Sequence, residues 1–298
     1  MEHRRAPLSE APRACHAAGV AGRSVLISGA STGIGEACAL RLADRGWHVF
    51  AGVRRDEDGR RLAAAASGTI EPVMLDVTDE ASVREALAQV GDQLTAVVNN
   101  AGVAVGGPVE YLALDEWRRQ YEVNVIGQVA VTRAALPLIR VAGTDGRVVF
   151  MGSIGGRIST PLLAPYDSSK FALEAIAESL RHELAPAGIK VVLIEPGAVR
   201  TPIWDKGRRR ADEIAAALPP EALSRYQWAI DGVRKGIDMQ ERNGVPPARV
   251  AEVVEQALTS SRPRARYLVG RDARLMAAIA RLLPDSARDF LVRMATKP

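Results

Sequence analysis

One short stretch of the chain decides the fold that the sequence predicts: Ser28-Gly29-Ala30-Ser31-Thr32-Gly33-Ile34-Gly35. It joins a run of apolar residues to a helical pattern, and its glycines are spaced Gly-x-x-x-Gly-x-Gly. Gly29 permits a tight turn, Gly33 lets the backbone approach a phosphate, and Gly35 allows the helix to pack closely on the strand. The N–H groups at the start of that helix favour an anionic ligand. The stretch therefore predicts a dinucleotide site between a first strand and a first helix.

Short apolar runs alternate with longer helical patterns along the chain, as in a parallel sheet with crossover helices. The runs predicted as strands are Ser24–Ser28, His48–Val53, Pro72–Leu75, Ala96–Asn99, Arg147–Met151, Lys190–Ile194 and Arg266–Val269. The stretches predicted as helices are Gly33–Arg45, Asp56–Ala66, Glu80–Val90, Leu114–Arg140 and Pro165–Pro186. The fold class predicted is α/β: a single Rossmann-type, doubly wound parallel sheet of about seven strands with helices on both faces.

The chain divides into three parts by its patterning. Residues 1–22 lack periodicity and are predicted to be a flexible N-terminal extension. Residues 23–270 are predicted to form one Rossmann-type domain, in which a helical, arginine-rich segment at about 201–246 covers the substrate. Residues 271–298 are predicted to be a C-terminal helical extension with apolar residues at helical spacing among arginines. That extension could pack on its own domain, on a partner subunit or on a membrane surface.

Charge and cysteine usage narrow the class of protein. The net charge is +4, and arginines alternate with acidic residues over most of the length, which indicates a solvated surface rather than a nucleic-acid footprint. Cys15 and Cys38 cannot form a disulfide framework, and neither has a metal-site spacing, so we expect no metal and a reducing, cytoplasmic compartment. The chain has no apolar run of about 18 residues, so no membrane span is expected.

The end of the second predicted strand bears on the choice of dinucleotide. NAD-binding Rossmann folds place an acidic residue there for the ribose hydroxyls, whereas this chain has Arg54 and Arg55. Arginine forks match a phosphate bidentately, which favours NADP(H) over NAD(H). In the alternative, the two arginines are exposed residues that open a charged helix, and the acids at 56–58 compete for the ribose.

Three further residues predict a catalytic site. Tyr166 and Lys170 are spaced i, i+4 and share a helix face, and Ser153 directly follows the fifth predicted strand. Hydride transfer to a ketone needs a proton for the developing alkoxide, and a phenol can supply it. The ordinary phenol pKa of about 10 is too high for a base near neutrality, so a nearby lysine ammonium is expected to lower it. Ser153 would hold the substrate oxygen beside the Tyr166 hydroxyl.

Together these motifs resemble the classical short-chain dehydrogenase/reductase family. The resemblance covers about Ser24 to Val269 and rests on the glycine spacing, on Asn99-Asn100-Ala101-Gly102 and on Tyr166-Asp-Ser-Ser-Lys170. The run from Tyr166 through Pro202 is most similar to the steroid and retinol dehydrogenase branch. The resemblance implies an NAD(P)-dependent oxidoreductase acting on CH–OH or C=O groups, working as a homodimer or homotetramer that pairs through the helices carrying Asn124 and Tyr166.

The resemblance also implies individual roles. Asn124 would be a fourth catalytic residue, holding a water that links Lys170 to solvent. Asp76 and Val77 would contact the adenine, and the turn from Pro196 to Thr201 would hold the nicotinamide carboxamide. The cofactor-binding residues expected are Gly29, Ser31, Thr32, Gly33, Ile34, Gly35, Arg54, Arg55, Asp76, Val77, Asn100, Ala101, Gly102, Tyr166, Lys170, Pro196, Gly197, Val199 and Thr201.

The substrate is less well defined by the sequence. Pro161, Leu162, Leu163, Ile203 and Trp204 could line an apolar pocket for a steroid-, retinoid- or lipid-like alcohol or ketone. A 3-oxoacyl thioester on an acidic carrier protein is an alternative, because the arginines at 208–210 could meet such a carrier. A further alternative is a non-catalytic NADP sensor of the same fold, which would be expected to have lost a member of the Ser–Tyr–Lys set.

Overall fold

Seven strands form one parallel sheet within residues 22–92 and 94–296, which are the residues that the computed structural model describes. The strands are β1 Ser24–Ser28, β2 His48–Val53, β3 Ile70–Met74, β4 Ala96–Asn99, β5 Arg147–Met151, β6 Lys190–Pro196 and β7 Arg266–Val269. Their order is β3-β2-β1-β4-β5-β6-β7, and every neighbouring pair is parallel. The predicted doubly wound α/β fold is confirmed. The predicted N-terminal extension, with Cys15, lies outside the described residues except for Gly22.

Helices cover both faces of the sheet. They are α1 Gly33–Asp44, α2 Asp56–Ala65, α3 Glu80–Val90, α4 Leu114–Tyr121, α5 Gly127–Val141, α6 Ala164–Leu184, α7 Pro202–Ala216, α8 Pro220–Asn243, α9 Pro247–Thr259, α10 Arg271–Leu282 and α11 Asp285–Thr296. Successive strand residues point to opposite faces, so Val25 and Ile27 join a core with α1 and α9, while Leu26 joins a second core with α3, α5 and α6. The central residues of β1 and β5 are apolar because both faces of these strands are buried.

The strand order places the functional site. The chain runs outward from β1 to β3 on one side and from β4 to β7 on the other, so the connections after β1 and β4 leave in opposite directions. Open α/β sheets bind their ligands in the crevice at such a reversal, outside the carboxyl ends of the strands. The loops that carry the glycine turn, the Asn-Asn-Ala-Gly segment, Ser153 and Pro196–Thr201 all leave this edge.

Several helix boundaries differ from the predicted ones. The predicted helix Leu114–Arg140 is α4 and α5, joined by one widened π-helical turn at Glu122–Ile126. The region 201–246 is two helices that part at Pro219-Pro220, because proline lacks the N–H that a helix interior needs. Helix α9 was not predicted, although its buried Val250, Val254 and Leu258 follow a four-residue period, and it packs against α1.

Candidate active site

A cleft of about 600 Å³ runs along the carboxyl edge of the sheet, a size typical of cofactor sites. The predicted residues that line it are Gly29, Ser31, Thr32, Gly33, Ile34, Arg54, Asp76, Val77, Asn100, Ala101, Gly102, Ser153, Tyr166, Lys170, Pro196, Gly197, Val199 and Thr201. Three predicted residues, Gly35, Arg55 and Asn124, do not line it. The structure therefore brings together residues that are widely separated in the sequence.

The glycine turn is shaped to leave room at the start of α1. Gly29 has a φ of +66°, and a β-carbon there would lie 2.8 Å from the Ala101 Cα. A β-carbon on Gly35 would overlap the Gly29 carbonyl oxygen, so a glycine at position 35 lets α1 pack closely against the turn. Thr32 makes no side-chain cap to α1, which leaves the first N–H groups of that helix available to a ligand. This cradle fits the pyrophosphate of a dinucleotide.

Ser28 and Asn100 fasten the glycine turn to β4. The Ser28 Oγ accepts hydrogen bonds from the N–H groups of Asn100 (3.0 Å) and Ala101 (3.1 Å). The Asn100 Nδ2 donates to the carbonyl oxygens of Ser28 (3.0 Å) and Gly29 (3.1 Å). The Asn-Asn-Ala-Gly segment therefore holds the two loops of the cleft at a set separation. Ser28 was not predicted as a site residue, although it opens the quoted stretch.

Buried amides hold the segment that follows Asn100. Gln120, Asn124 and Gln128, which we call the amide ladder, are spaced by four residues along α4, the π-helical turn and α5, and all are fully buried. The Asn124 side chain accepts from the Val103 N–H (2.8 Å) and donates to the Val103 carbonyl (3.0 Å). Gln120 bonds Val103 and Val105 in the same way, and Gln128 donates to the Ala101 carbonyl at 3.1 Å. Asn124 thus acts on the loop backbone, not directly on the cleft.

Two members of the amide ladder were missed by sequence reasoning. Asn124 was singled out as a polar residue at an apolar helical position, and the same signal exists for Gln120 and Gln128. Polar residues at i, i+4 and i+8 of a helix lie on one face, and inside an apolar helix they must find buried partners.

The two arginines after β2 have different surroundings. Arg54 lines the cleft, and its charge acts on Asp76. Arg55 points elsewhere, with its Nε donating to Asp58 Oδ2 at 2.9 Å and its Nη1 3.3 Å from Glu57 Oε1. For Arg55 the structure therefore matches the alternative of an exposed residue that opens a charged helix.

A third arginine, not predicted, lies at the glycine turn. The Arg61 Nη2 donates to the Ser31 carbonyl at 2.6 Å, and its Nη1 pairs with Glu36 at 2.5 Å. This contact links α2 to the glycine turn, while the positive charge of Arg61 is paired with Glu36.

Asp76 is held as a carboxylate beside the cleft. Partial burial acts to raise its pKa, but hydrogen bonds from the Thr78 hydroxyl (2.7 Å) and N–H (3.0 Å), together with Arg54, bring the pKa below its ordinary value. A carboxylate that is already bonded on one oxygen can still accept a hydrogen bond from a ligand on the other.

Ser153, Tyr166 and Lys170 meet at the middle of the cleft. The Lys170 Nζ donates to the Met151 carbonyl at 2.8 Å and lies 5.7 Å from the centre of the Tyr166 ring. Burial raises the pKa of Tyr166 to about 12, and a hydrogen bond with Ser153 acts in the opposite direction. Burial also lowers the pKa of Lys170 to about 8. In the chain by itself, the pKa of the phenol is therefore raised, contrary to the expected lowering, because loss of solvent outweighs its polar neighbours.

Asp167 is a buried acid next to Tyr166 in the sequence. Its Oδ2 accepts from the Thr160 N–H at 2.8 Å, so it ties the start of α6 to the loop after Ser153. Burial raises the pKa of Asp167 to about 7, and the Thr160 hydrogen bond only partly offsets this. In the same loop, Leu162 has a φ of +65°, a left-handed conformation that costs a non-glycine residue about 1–3 kcal/mol. Its carbonyl accepts from the Gly107 N–H at 2.8 Å, which holds it there.

An apolar pocket of about 60 Å³ adjoins the cleft. Leu162, Leu163 and Trp204 line it as predicted, whereas Ile203 faces the cleft and Pro161 lines neither. Trp204 borders both spaces, and its ring packs edge-on against Tyr166 with centroids 5.6 Å apart. Trp204 therefore connects the phenol, which lines the cleft, to the apolar pocket.

Helices α7 and α8, which we call the lid, form the outer wall of this pocket. Its two ends meet where Val245 donates to the Ala198 carbonyl (3.0 Å) and Arg200 donates to the Val245 carbonyl (3.1 Å). Ion pairs connect the lid helices to each other and to the body; they are Arg208–Glu241, Arg234–Asp212, Arg210–Glu116 and Arg225–Glu110.

Comparisons with known proteins agree with this arrangement. The chain belongs to the short chain dehydrogenase family, whose model matches residues 23–212. It is 35% identical over 275 aligned positions to an NADPH-dependent 3-dehydrocapnine reductase of Ornithobacterium rhinotracheale, covering 90% of this chain and 95% of the relative. It is 36% identical over 281 positions to human retinol dehydrogenase 5, covering 90% and 87%. A solved short-chain dehydrogenase of Streptomyces avermitilis superposes with a TM-score of 0.75 at 32% identity, covering 91% and 96%.

The protein is accordingly an oxidoreductase of this family, acting on alcohol or carbonyl groups with a nicotinamide dinucleotide. Within the described residues, no helix has the length and apolarity needed to cross a bilayer. The same residues contain no cluster of three His, Cys, Asp or Glu side chains that could hold a metal ion.

Proposed function

We propose that the protein reduces a hydrophobic ketone to a secondary alcohol with NADPH, or catalyses the reverse oxidation with NADP⁺. The observation that carries this proposal is that Tyr166 lines a dinucleotide-sized cleft together with Ser153 and Lys170, and packs against Trp204, which also lines an apolar pocket. The bound dinucleotide supplies or accepts the hydride at the reacting carbon.

Each catalytic side chain has a distinct task in this proposal. A phenol with a pKa of about 12 is protonated near neutral pH, so Tyr166 can donate its proton to the oxygen of a carbonyl substrate. Ser153 donates a hydrogen bond to the same oxygen and orients it. Lys170, held by the Met151 carbonyl, brings positive charge to the phenol as its proton leaves. Asn124 is a positioning residue that holds the loop after β4.

Arg54 supports the choice of NADP(H). It is the arginine after β2 that lines the cleft, and its charge acts on Asp76 in the same cleft. No acidic residue stands at the end of β2, where a ribose hydroxyl would be bound in an NAD enzyme. The reductase relative is named as NADPH-dependent, which is consistent with this choice.

The pocket supports a hydrophobic substrate. Its walls include Leu162, Leu163, Trp204, Ile230 and Ile237. One relative that aligns with 90% of this chain is a retinol dehydrogenase. A volume of about 60 Å³ is far below the range of about 300–1,000 Å³ for drug-sized ligands. A steroid- or retinoid-sized substrate therefore enters only when the lid moves outward.

The carrier-protein alternative has less support. Arg208 is already paired with Asp238 and Glu241, and Arg210 with Glu116 and Glu213, so among these three arginines only the exposed Arg209 has no ion pair within the described residues. A non-catalytic sensor has no need of a complete Ser–Tyr–Lys set. A homo-oligomer paired through α5 and α6 is supported by exposed Ile126, Val129 and Phe171 in this region. A cytoplasmic location stays a prediction.

A reductase assay tests the proposal. We expect NADPH to be consumed with long-chain aliphatic, retinoid or steroid ketones and not with small polar ones. Tyr166→Phe should lower kcat by about 10²–10⁴-fold, because the proton donor is lost, while NADPH binding is unchanged. Ser179→Ala, which removes an exposed hydroxyl from the same helix, is the matched control and should leave kcat unchanged. Full activity of Tyr166→Phe would contradict the assigned role of the phenol.

A further inference from the structure

Helix α10, near the C-terminus, exposes its large apolar residues to solvent. Ala273 and Ala277, spaced by four, form the buried side that packs on the domain. Leu275 and Leu282, on the opposite side, are 62% and 75% exposed. Surface helices normally turn their large apolar residues toward the core. Here the small residues pack inward and the large ones face outward.

Helix α11 continues the same pattern. Phe290, Leu291 and Met294 are all exposed, and their spacing places them on one face of the helix. With Leu275, Met276 and Leu282 they form what we call the C-terminal apolar face. Six of the fifteen large exposed apolar residues found in the described part of the chain fall within these two helices. Such a concentration marks an interaction surface rather than scattered exposure.

Unpaired positive charge accompanies this face. Arg274 and Arg281 lie seven residues apart on one flank of α10, and Arg293 lies on α11. Across the described ranges, none of these three guanidiniums forms an ion pair, whereas Arg288 is paired with Asp285. Apolar residues flanked by arginines are the pattern of a helix that lies on an anionic lipid surface. A two-fold contact with a second copy would instead bring the same arginines toward each other.

The face is also connected to the substrate pocket. Helix α11 packs against α8, and α8 contributes Ile230, Val233 and Ile237 to the pocket wall. At the other end, Asp272 at the start of α10 accepts from the Ala198 N–H at 2.6 Å, in the loop between β6 and the lid. A surface contacted by α10 and α11 therefore lies next to the helices that must open for a substrate.

We propose that the C-terminal apolar face docks the protein on an anionic lipid bilayer, with α10 and α11 lying in the plane of its surface. The two helices have 12 residues each, about 18 Å of helix, and are too short to span the hydrocarbon core. Docking brings α8, which packs on α11 and lines the pocket, close to the phase in which an apolar substrate dissolves. The binding itself does not depend on which substrate or cofactor the enzyme uses.

Flotation with lipid vesicles tests this proposal. The full chain is mixed with vesicles of phosphatidylcholine alone or of phosphatidylcholine with phosphatidylglycerol, and floated on a density gradient. We expect binding to the anionic vesicles, weakened by high salt, and little binding to the neutral ones. The triple variant Leu275→Ser, Leu282→Ser, Phe290→Ser should bind the anionic vesicles at least about tenfold more weakly than the wild type. Arg274→Glu with Arg281→Glu should also lose binding.

The matched control is Met74→Ser with Val109→Ser, which removes exposed apolar residues elsewhere. It should bind vesicles as the wild type does, and circular dichroism with thermal melting verifies that every variant is folded. Absence of binding by the wild type, or equal binding by a folded triple variant, would overturn the proposal. A third outcome would also overturn it: the wild type is a dimer that does not bind vesicles, and the triple variant is a monomer. A second copy of the chain would then cover the face.

Discussion

The cofactor edge of the sheet and the lid face each other across the same site, yet different forces hold them. At the cofactor edge, buried side-chain amides bond backbone groups: Asn100 bonds the glycine turn, and the amide ladder bonds residues 101–105. The lid packs through a few buried apolar residues such as Ala229 and Ile237, and its polar contacts are ion pairs between half-exposed side chains, such as Arg234 with Asp212. Leaving a buried polar group unbonded costs about 1–3 kcal/mol, whereas an exposed ion pair contributes about 0–1 kcal/mol.

This difference matches the two tasks of the site. A dinucleotide common to many enzymes requires a preformed cradle, which buried hydrogen bonds of defined geometry provide. A substrate too large for a pocket of about 60 Å³ requires a wall that can open, and weak ion pairs permit this at small cost. The comparison therefore predicts large effects at the cofactor edge and small, salt-dependent effects in the lid.

The largest effect on stability is expected at the amide ladder. Asn124→Leu combined with Gln120→Met leaves the N–H and carbonyl of Val103 and the N–H of Val105 without these partners. We expect the free energy of unfolding to fall by roughly 3–9 kcal/mol, since each orphaned group costs about 1–3 kcal/mol. Urea unfolding measures this. Gln89→Leu, at an exposed amide, is the control and should change stability by less than about 0.5 kcal/mol. A loss of unfolding free energy no larger than that of the control would contradict the view that buried amide hydrogen bonds hold the cofactor edge.

An intermediate, pH-dependent effect is expected at Asp167. The pKa of this acid is about 7 in the folded chain, against an ordinary value of 3.8, so the folded state keeps a proton that the unfolded chain releases. Its contribution to stability is therefore complete below about pH 4 and is lost as the pH rises through about 7. Asp167→Asn should remove a fall of at most about 4 kcal/mol in unfolding free energy between these limits.

Urea unfolding at several pH values, with exposed Asp92→Asn as the control, measures this effect. Wild type and the control should lose stability in parallel as the pH rises, while Asp167→Asn should show the shallower dependence. Parallel curves for all three proteins would show that Asp167 does not keep its proton on folding.

The smallest effect is expected in the lid. Arg234→Ala removes the pair with Asp212, so the free energy needed to open the lid should fall by at most about 1 kcal/mol, and KM for a hydrophobic ketone should fall by at most about fivefold. Wild-type KM should itself fall with salt, and the fall should be smaller in the variant, because salt screens the pair that the variant lacks. Arg84→Ala, which removes an exposed pair on α3, is the control. A KM insensitive to salt would indicate that the lid is held by other forces.

The same contrast explains how much the sequence could predict. The glycine turn, Asn100, Ser153, Tyr166 and Lys170 were predicted because their tasks restrict both residue type and spacing, and the structure brings them to one edge. The separation of Arg54 from Arg55 could not be predicted, because it depends on which guanidinium Asp58 and Glu57 capture.

Long-range contacts account for most of what was missed. Arg61 reaches the glycine turn from α2, and Asp272 reaches the loop after β6 from α10, across 74 positions of sequence. Neither residue belongs to a local motif. The raised pKa of Tyr166 was missed for a related reason, since burial is a property of the whole packed site and not of the Tyr-x-x-x-Lys spacing.

A fluorescence titration with NADPH and NADH at matched salt tests the central claim, that the cleft is an NADP(H) site, most directly. We predict that the wild type binds NADPH more tightly by about tenfold or more, or about 1.4 kcal/mol. Arg54→Ala should abolish this preference, and Arg55→Ala, whose side chain is turned away, should retain it. A preference for NADH would contradict the NADP(H) assignment, and failure to bind either dinucleotide would contradict the account of the cleft as a whole.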